Sequence, residues 1–405
     1  MFNSTVYGRK IIGDFMQKYD IHVCLVSAQA APNLLPILDS GFKPKKAIFL
    51  VSKAMKQKSE YLAKAFEKLN VKVELKNIAD EFNFGLMEEE IFKLVEEYEN
   101  ESIALNVTGG TKLMSIAAEN AFSSLGKPIF YIDTDSNQIL FISKDEEQNW
   151  LPNLEMKSKN KIDIYLSAYG STVLTTQNPL ERKKYILAVE AFIKRYDDYV
   201  NILPMLNMHA TLSQSNGYKS EFTKNNPKIK PIDELLLGLD YQGLVDYDGE
   251  IINFKNKEIK NFLNGGWLED YTYFQLEEIS TIEDLRCGVD VANPKYKLGK
   301  NDYSPENKGN KNEFDIVFMA KNKLHIIECK TQKMDKEGGM KADDILYKLE
   351  TLKDYGGLMT KKCLVSYFEV PEQVKNRASF LNIEIIQGKD LQRLRTKIQE
   401  WIGKK

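Results

Sequence analysis

Two apolar runs joined by a two-residue turn constrain the fold more than any other stretch of the chain. The runs FDIVFMA and LHIIEC flank Lys321 and Asn322, and Asn tolerates the left-handed conformation that such turns need. In an antiparallel hairpin, opposed residues are equally far from the turn, so Asp315 faces Glu328. The sequence therefore predicts a β-hairpin that places two carboxylates opposite each other.

The predicted hairpin carries the residue types of a phosphodiester-cleaving site. Opposed Cβ atoms lie about 4.5–5.5 Å apart, which lets Asp315 and Glu328 share one cation. Lys330 projects to the same side as Glu328 because side chains alternate along a strand. Carboxylate oxygens suit Mg²⁺ or Mn²⁺, and a neighbouring lysine can stabilise phosphate charge or help to deprotonate water. The alternative is a surface hairpin with chance charges.

Composition and charge narrow the class of protein. With 405 residues, 43% hydrophobic and 28% charged, the chain is long enough for two or three ordinary globular domains. It has no apolar run of the roughly 20 residues that cross a membrane and no recognisable signal peptide, so we expect it in the cytoplasm. The first twenty residues fit the domain pattern poorly and are interpreted as an extension.

Cysteine, histidine and net charge give little support to other chemistry. The four cysteines form no C-x-x-C pair, and no Arg is followed four to six residues later by His, which disfavours a metal-independent ribonuclease. A net charge of −2 leaves nucleic-acid binding to local patches. Lysines do cluster around the hairpin, at 295–300, 308, 311 and 330–336.

Residues 21 to about 142 alternate short apolar runs with helical segments. The predicted strands are IHVCLVS, KAIFLVS, VKVELK, SIALNV and KPIFYID, and the predicted helices span 32–38, 55–69, 85–99 and 111–125. Such alternation predicts a mostly parallel sheet with helices on both faces, a Rossmann-like domain.

Ligands of such sheets bind beyond the carboxyl ends of the strands. The candidate ligand-binding residues there are Ser27, Ala28, Gln29, Asn33, Ser52, Asn106, Thr108, Gly109, Gly110, Thr111 and Lys112. The loop NVTGGTK stands out because its glycines allow close backbone approach, its second threonine can cap a helix, and helix N-termini favour phosphate. It is not a Walker P-loop, and no G-x-G-x-x-G is present; a plain tight turn is the alternative.

This N-terminal part, residues 1–150, resembles the CRISPR-associated Rossmann-fold (CARF) domain. The family's Ser-x-Gln and N-x-TGGTK loops match residues 27–29 and 106–112. The resemblance implies a homodimer that binds a cyclic oligoadenylate, usually cyclic tetra-adenylate, across its two-fold axis.

Residues 151–232 are expected to form a linker and helical connector. Within them, IDIYLSAYG is expected to be a strand, residues 180–203 a helix, and the polar residues 209–231 a mobile segment. From residue 233 a short helix and two strands follow, which look like a winged-helix fragment and are interpreted as a spacer.

A helix beginning near Gly266 brings a third acidic residue into consideration. In restriction-type nucleases a helix carboxylate commonly joins the strand carboxylates around the metal, and Glu269 is preferred here over Glu277 and Glu278. After the hairpin, we expect a helix at 341–354, in which Lys341, Tyr347 and Lys348 can reach substrate phosphates, then two strands and a closing helix at 390–402.

The span 233–405 resembles the PD-(D/E)xK nucleases, and more closely the nuclease half of CARF-fused effectors of type III CRISPR systems. The motifs GGWLE, EFDIVF and ECKTQ carry the match. It implies that Glu269, Asp315 and Glu328 bind Mn²⁺ or Mg²⁺, that Lys330 assists catalysis and that Gln332 borders the site. Phe stands where the superfamily name has Pro.

The two resemblances together imply an α/β protein with an N-terminal CARF domain and a C-terminal restriction-endonuclease-like domain. The implied function is a cyclic tetra-adenylate-activated, metal-dependent endonuclease that cuts DNA, RNA or both in antiviral defence. Two alternatives stay open: a non-enzymatic, ligand-responsive nucleic-acid-binding regulator, and an unregulated repair or restriction nuclease.

Overall fold

The computed structural model describes residues 19–296, 311–334 and 342–404. The chain divides into two compact units, residues 1–159 and 160–405. Residues 1–18 lie outside the described residues, and so does half of the lysine cluster around the hairpin, namely Lys297, Lys300, Lys308 and Lys336. Lys341 also lies outside them. No helix in the described ranges has the length and apolar character needed to cross a membrane.

The first unit alternates strands and helices. Its elements are β1 (Ile21–Leu25), α1 (Ala31–Leu38), β2 (Lys46–Val51), α2 (Lys56–Lys68), β3 (Lys72–Asn77), α3 (Phe84–Glu97), β4 (Ile103–Asn106), α4 (Lys112–Ser124), β5 (Ile129–Asp133), β6 (Gln138–Phe141) and β7 (Leu154–Glu155).

The predicted mostly parallel sheet is confirmed. Strands β1 to β5 run parallel in the order β3-β2-β1-β4-β5, and β6 and β7 extend the β5 edge in antiparallel fashion. Because side chains alternate faces, Ile48 packs with the residues of α3 and α4, while its neighbour Phe49 contacts Phe66 of α2 edge-on. Both faces of the sheet are therefore covered by helices.

The strand order decides where this unit can bind a ligand. Strand β1 lies between β2 and β4. Strands β2 and β3 are added on one side of β1, and β4 and β5 are added on the other. In open parallel sheets the loops that follow two such strands diverge and leave a crevice. The loops after β1 and β4 flank this crevice. Ten of the eleven candidate ligand-binding residues lie in these loops or in the elements that adjoin them, α1, β4 and α4.

The second unit contains helices, a small sheet and a larger mixed sheet. Its elements are α5 (Ile162–Ala168), β8 (Thr172–Gln177), α6 (Ile186–Lys194), α7 (Tyr196–Tyr199), α8 (Leu203–Leu212), β9 (Lys219–Glu221), α9 (Lys230–Tyr241), β10 (Val245–Tyr247), β11 (Ile251–Phe254), α10 (Lys257–Asn261), α11 (Trp267–Glu277), β12 (Ile282–Ala292), β13 (Lys311–Ala320), β14 (Lys323–Lys330), α12 (Ala342–Thr351), α13 (Lys353–Gly356), β15 (Lys361–Ser366), α14 (Glu372–Phe380), β16 (Ile383–Gln387) and α15 (Leu394–Gly403).

The predicted hairpin lies in the middle of the larger sheet. The strand order is β16-β15-β14-β13-β12-β8, with β14, β15 and β16 parallel and the other pairs antiparallel. Strand β14 is thus hydrogen-bonded on both sides and rigidly held. The segment expected to be a connector supplies the edge strand β8 of this sheet.

Three expectations for the connector are wrong. IDIYLSAYG forms helix α5, because its buried residues Ile162, Tyr165 and Leu166 follow helical spacing, and the Ile162 amide donates to Asp284 at 2.9 Å. The single helix over 180–203 is broken, and α8 restarts with Pro204 in its first turn. The polar stretch 209–231 contains the end of α8, strand β9 and the start of α9.

The winged-helix interpretation agrees with the local structure. Helix α9 is followed by the hairpin β10–β11, and β9 adds a third antiparallel strand in the order β10-β11-β9. The apolar sides of these elements join the same core as α6, α8 and α11. This subdomain is therefore packed against the larger sheet rather than tethered to it.

Candidate active site

The hairpin register is the one that the sequence predicts. Ile316 pairs with Ile327 and Ala320 pairs with Lys323, and both turn residues, Lys321 and Asn322, have positive φ values of 50° and 57°. These values fit the primed turn that matches strand twist.

The hairpin gathers two buried carboxylates and a lysine. Asp315 is 8% exposed and Glu328 is 2% exposed. The Lys330 ammonium lies 2.6 Å from Glu328 and 3.6 Å from Asp315, and the Cys329 amide donates to Asp315 at 2.7 Å. The three functional side chains therefore share one face of the sheet and interact directly.

Helix α11 brings Glu269 to the same place. The helix is fixed by Trp267, which is fully buried and contacts Phe192 and Tyr367 edge-on at centroid distances of 5.3 and 5.5 Å. Glu269, two residues later, lines the same cavity as Lys330 and Gln332. The packing of one tryptophan thus sets the position of the third carboxylate.

The kink before α11 explains the two glycines of GGWLE. Gly265 has φ of +123°, a conformation that other residues rarely adopt. A Cβ atom there would lie 2.2 Å from Oγ1 of Thr331, which immediately follows β14. The amide of Asn207 on α8 holds the Thr331 carbonyl at 3.0 Å. Glycine is therefore required for the helix entry to approach the end of β14.

The electrostatics of the cluster favour binding of a cation. Burial and the neighbouring Asp315 raise the pKa of Glu269 well above its usual range. Burial and Glu328 raise the pKa of Asp315 to about 6, against the opposing effect of Lys330. Burial alone would lower the pKa of Lys330, but Asp315 and Glu328 together raise it. The negative charge of the carboxylates is therefore not fully compensated, although the charged ammonium of Lys330 lies between them.

The donor set fits a hard divalent cation. In the described part of the chain, no group of three His, Cys, Asp or Glu side chains is arranged closely enough to hold a metal ion in the present conformation. Two ammonium groups, however, occupy the carboxylates: Lys330 contacts both Asp315 and Glu328, and Lys348 of α12 contacts Glu328. Buried carboxylate oxygens that already bind cationic groups are suitable ligands for Mg²⁺ or Mn²⁺.

A cavity of about 720 Å³ opens beside the cluster. Besides Glu269, Lys330 and Gln332, its walls carry amide and charged side chains from the end of β8 and the segment after it, from α10, and from the turn before α11. These are Gln177, Asn178, Glu181, Arg182, Glu258, Asn261 and Asn264. The volume and the many hydrogen-bonding groups suit a polar ligand of the size of one or two nucleotides.

In the N-terminal unit, the candidate residues form an internal network at the sheet crevice. The Asn106 amide donates to Pro32 and Asn33, both at 3.0 Å, and its oxygen accepts from the amide and hydroxyl of Thr108. The Asn33 amide in turn donates to the Leu25 carbonyl at 2.9 Å. Asn33 and Asn106 therefore join the two loops to each other, with their polar groups already used.

Gly109 and Thr111 shape the loop that follows β4. A Cβ atom on Gly109 would lie 2.0 Å from the Leu25 carbonyl oxygen, so only glycine permits this contact. The Thr111 hydroxyl accepts from the Met114 amide at 3.2 Å and caps α4, as predicted. Lys112 and Ala28 are exposed, whereas Ser52 is buried at the start of a short turn.

Comparison with known proteins identifies both units. The sequence-family model for the Card1 CARF domain matches residues 21–165, and the model for a Card1-like endonuclease domain matches residues 256–405. The chain therefore combines a CARF domain and an endonuclease domain, both of the Card1 type. No curated protein matches this sequence.

Solved structures extend this result over almost the whole Card1-type chain. Protein VC1899 of Vibrio cholerae is 26% identical with a TM-score of 0.81, and the alignment covers 95% of this chain and 98% of that one. Can2 of Sulfobacillus thermosulfidooxidans, solved with cyclic tetra-adenylate, is 25% identical with a TM-score of 0.77, covering 96% and 99%. A type III CRISPR defence DNA nuclease activated by cyclic oligoadenylate shares the fold at 14% identity and a TM-score of 0.50, covering 90% and 52%.

The catalytic candidates converge in this Card1-type endonuclease, and neighbours that sequence reasoning missed join them. The hairpin and α11 bring together Asp315, Glu328, Lys330 and Glu269. Sequence reasoning assigned Lys348 only to substrate phosphates, and it overlooked Arg182, which lines the cavity and binds the buried Asp270 through two hydrogen bonds of 2.5 and 2.8 Å. The partners of Lys348 and Arg182 lie far away in sequence, so no local pattern reveals them.

Proposed function

We propose that this protein is a cyclic tetra-adenylate-activated, divalent-metal-dependent endonuclease that cuts DNA, RNA or both in type III CRISPR defence. The observation that supports it best is the convergence of Asp315, Glu328 and Lys330 on one face of a central hairpin, with Glu269 beside them. An enzyme that cleaves phosphodiesters needs this combination of carboxylates and one fixed ammonium, whereas a structural hairpin would not bury two opposed carboxylates.

The metal ligands proposed are Glu269, Asp315 and Glu328. A bound Mg²⁺ or Mn²⁺ would supply Lewis-acid stabilisation and a water that loses its proton more readily. The Cys329 amide holds Asp315 through one oxygen, which fixes the orientation of that carboxylate. Rigid ligands on paired strands keep the scissile phosphate in one position relative to the attacking water.

Lys330 is assigned the role of a fixed positive charge. Asp315 and Glu328 raise the pKa of its ammonium in the metal-free protein, which favours the charged form. A protonated lysine stabilises the charge that develops on the phosphate in the transition state. Gln332, on the cavity wall, provides neutral hydrogen bonds to the substrate backbone or base beside it.

The N-terminal unit is proposed to bind the activator at its strand ends, in a homodimer within the cytoplasm. With Asn33 and Asn106 used internally, direct contact is assigned to the loop backbone after β4 and to the exposed Lys112. Helix N-termini and exposed amides favour the phosphates of a cyclic oligonucleotide. Activation is then a shift in population toward the arrangement that binds the ligand more tightly.

Cleavage of labelled single-stranded RNA, single-stranded DNA and supercoiled plasmid, measured with Mn²⁺ and with or without cyclic tetra-adenylate, tests this function. We expect at least one substrate to be cut only when both are present. Cleavage that ignores the activator would favour an unregulated nuclease. Tight activator binding without any cleavage would favour a regulator.

A further inference from the structure

Helix α12 places a second lysine directly on the catalytic carboxylate. The Lys348 ammonium lies 2.9 Å from one oxygen of Glu328 and 2.7 Å from the other. The Glu328 side chain is 3% exposed, whereas that of Lys348 is 34% exposed. A contact with both oxygens of a carboxylate this buried is a specific ion pair, unlike an exposed pair on the protein surface.

A metal that binds Glu328 would meet ammonium groups that already use most of its oxygen lone pairs. One oxygen of Glu328 also accepts from Lys330 at 2.6 Å, so three hydrogen bonds from two cations already reach a carboxylate that has about four lone-pair sites. A divalent cation beside two ammonium groups also adds like-charge repulsion. Metal binding to Glu328 therefore favours the departure of one ammonium.

Lys348 is the ammonium that can leave. Lys330 is also held by Asp315 and by the carbonyl of Cys329 at 3.1 Å, and only 19% of its side chain is exposed. Among the described residues, the Lys348 ammonium forms its hydrogen bonds with Glu328 alone. Its greater exposure allows it to turn into solvent at lower cost.

The charge balance supports the exchange. Glu269, Asp315 and Glu328 bring three negative charges when ionised, and the two lysines return two. If a divalent cation replaces Lys348, the cluster of three carboxylates, Lys330 and the metal becomes neutral. If Lys348 stayed as well, the buried cluster would carry an excess positive charge, which is unfavourable in a site shielded from water.

We propose that Lys348 is a resident counter-ion of Glu328 that competes with the catalytic metal and sets its affinity. The inference rests on the metal site of the proposed function. It reduces the negative charge of the active site in the metal-free enzyme, and it makes metal entry depend on the position of α12.

Manganese binding to the full-length protein tests the competition. We would titrate Mn²⁺ by calorimetry into wild type, Lys348→Met, Lys348→Arg and Lys375→Met, the last removing a lysine that pairs with Glu372 on α14. Loss of two charge-assisted hydrogen bonds to Glu328 should tighten Mn²⁺ binding about tenfold in Lys348→Met. Lys348→Arg, which keeps the charge, and Lys375→Met should stay near the wild-type affinity.

Glu328→Gln, alone and combined with Lys348→Met, separates two kinds of failure. If wild type binds no Mn²⁺ that Glu328→Gln removes, the metal site of the proposed function is wrong. If wild type does bind Mn²⁺ through Glu328, but Lys348→Met binds with equal or lower affinity, only the competition is wrong. Should Lys348→Met unfold, Lys348→Gln gives the same neutral comparison, and circular dichroism of each variant verifies the fold.

Discussion

At the scale of single residues, the buried carboxylates of the catalytic cluster repel one another and destabilise the metal-free protein. The raised pKa values of Glu269 and Asp315 mean that the folded state favours protonated carboxyls. Such groups contribute stability at pH values below their ordinary pKa, and that stability is lost as the pH rises through the raised pKa. A site that binds a metal well is therefore expected to cost stability without it.

Glu269→Gln should raise the free energy of unfolding of the metal-free protein at pH 8 by about 1–3 kcal/mol, because it removes a buried charge that lacks compensation. Below about pH 4, where the ordinary glutamate is protonated in both states, the difference should vanish. Denaturant unfolding in the presence of a chelator measures this. The matched control is Glu278→Gln at the exposed end of the same helix, and equal effects of the two changes would contradict the account.

Asn106 and Lys112 illustrate two different roles within one candidate binding loop. Asn106→Ala removes the side-chain hydrogen bonds to Pro32, Asn33 and Thr108 inside the crevice. The change should lower the free energy of unfolding by about 1–3 kcal/mol and weaken activator binding. Lys112→Ala removes only an exposed charge and should weaken binding without lowering stability. Calorimetry with cyclic tetra-adenylate and thermal unfolding distinguish them; loss of stability in both would argue against a ligand role for Lys112.

At the scale of elements, local signals explain what the sequence could predict. The hairpin was predictable because its turn residues and apolar runs lie within twenty residues of one another. Strands β8 and β12 were missed because β8 is a polar edge strand and both depend on partners far along the chain. Helix α5 was mistaken for a strand because seven residues span only about two helical turns, too few to show a helical period. The role of Lys348 depends on packing between elements that are distant in sequence.

Gly265→Ala tests whether the kink before α11 positions Glu269. The positive φ and the 2.2 Å approach to Thr331 should make this change cost about 1–3 kcal/mol and sharply reduce cleavage. Gly238→Ala, within α9 where a Cβ meets open space, should be neutral or stabilising by about 1 kcal/mol. Unfolding and cleavage assays of both variants decide; a fully active Gly265→Ala enzyme would contradict the role of the kink.

The pair of Arg182 and Asp270 should tie the end of β8 to α11. Asp270 is 1% exposed, so Arg182→Met leaves a buried carboxylate unpaired and should destabilise the protein by about 3–5 kcal/mol. Adding Asp270→Leu should recover most of this loss, because the double variant leaves no unpaired charge. A double-mutant cycle by denaturant unfolding measures the coupling, and additive effects would show that the two residues act independently.

At the scale of the whole molecule, the account links activator binding in one unit to chemistry in the other. The match of one unit to the Card1 CARF domain and of the other to a Card1-like endonuclease domain supports this division of labour. If the units carry separate sites, changes in the catalytic carboxylates should leave activator binding intact. If the two sites are coupled, activator binding should change the rate of cleavage.

One measurement tests this link directly: the rate of nucleic-acid cleavage after adding cyclic tetra-adenylate to wild type and Glu328→Gln in Mn²⁺, with activator affinity measured for both. The account predicts that wild type cleaves only after the addition. It also predicts that Glu328→Gln binds the activator equally well but cleaves at least about a hundredfold more slowly. Unchanged cleavage by Glu328→Gln, or equal wild-type rates with and without the activator, would contradict it.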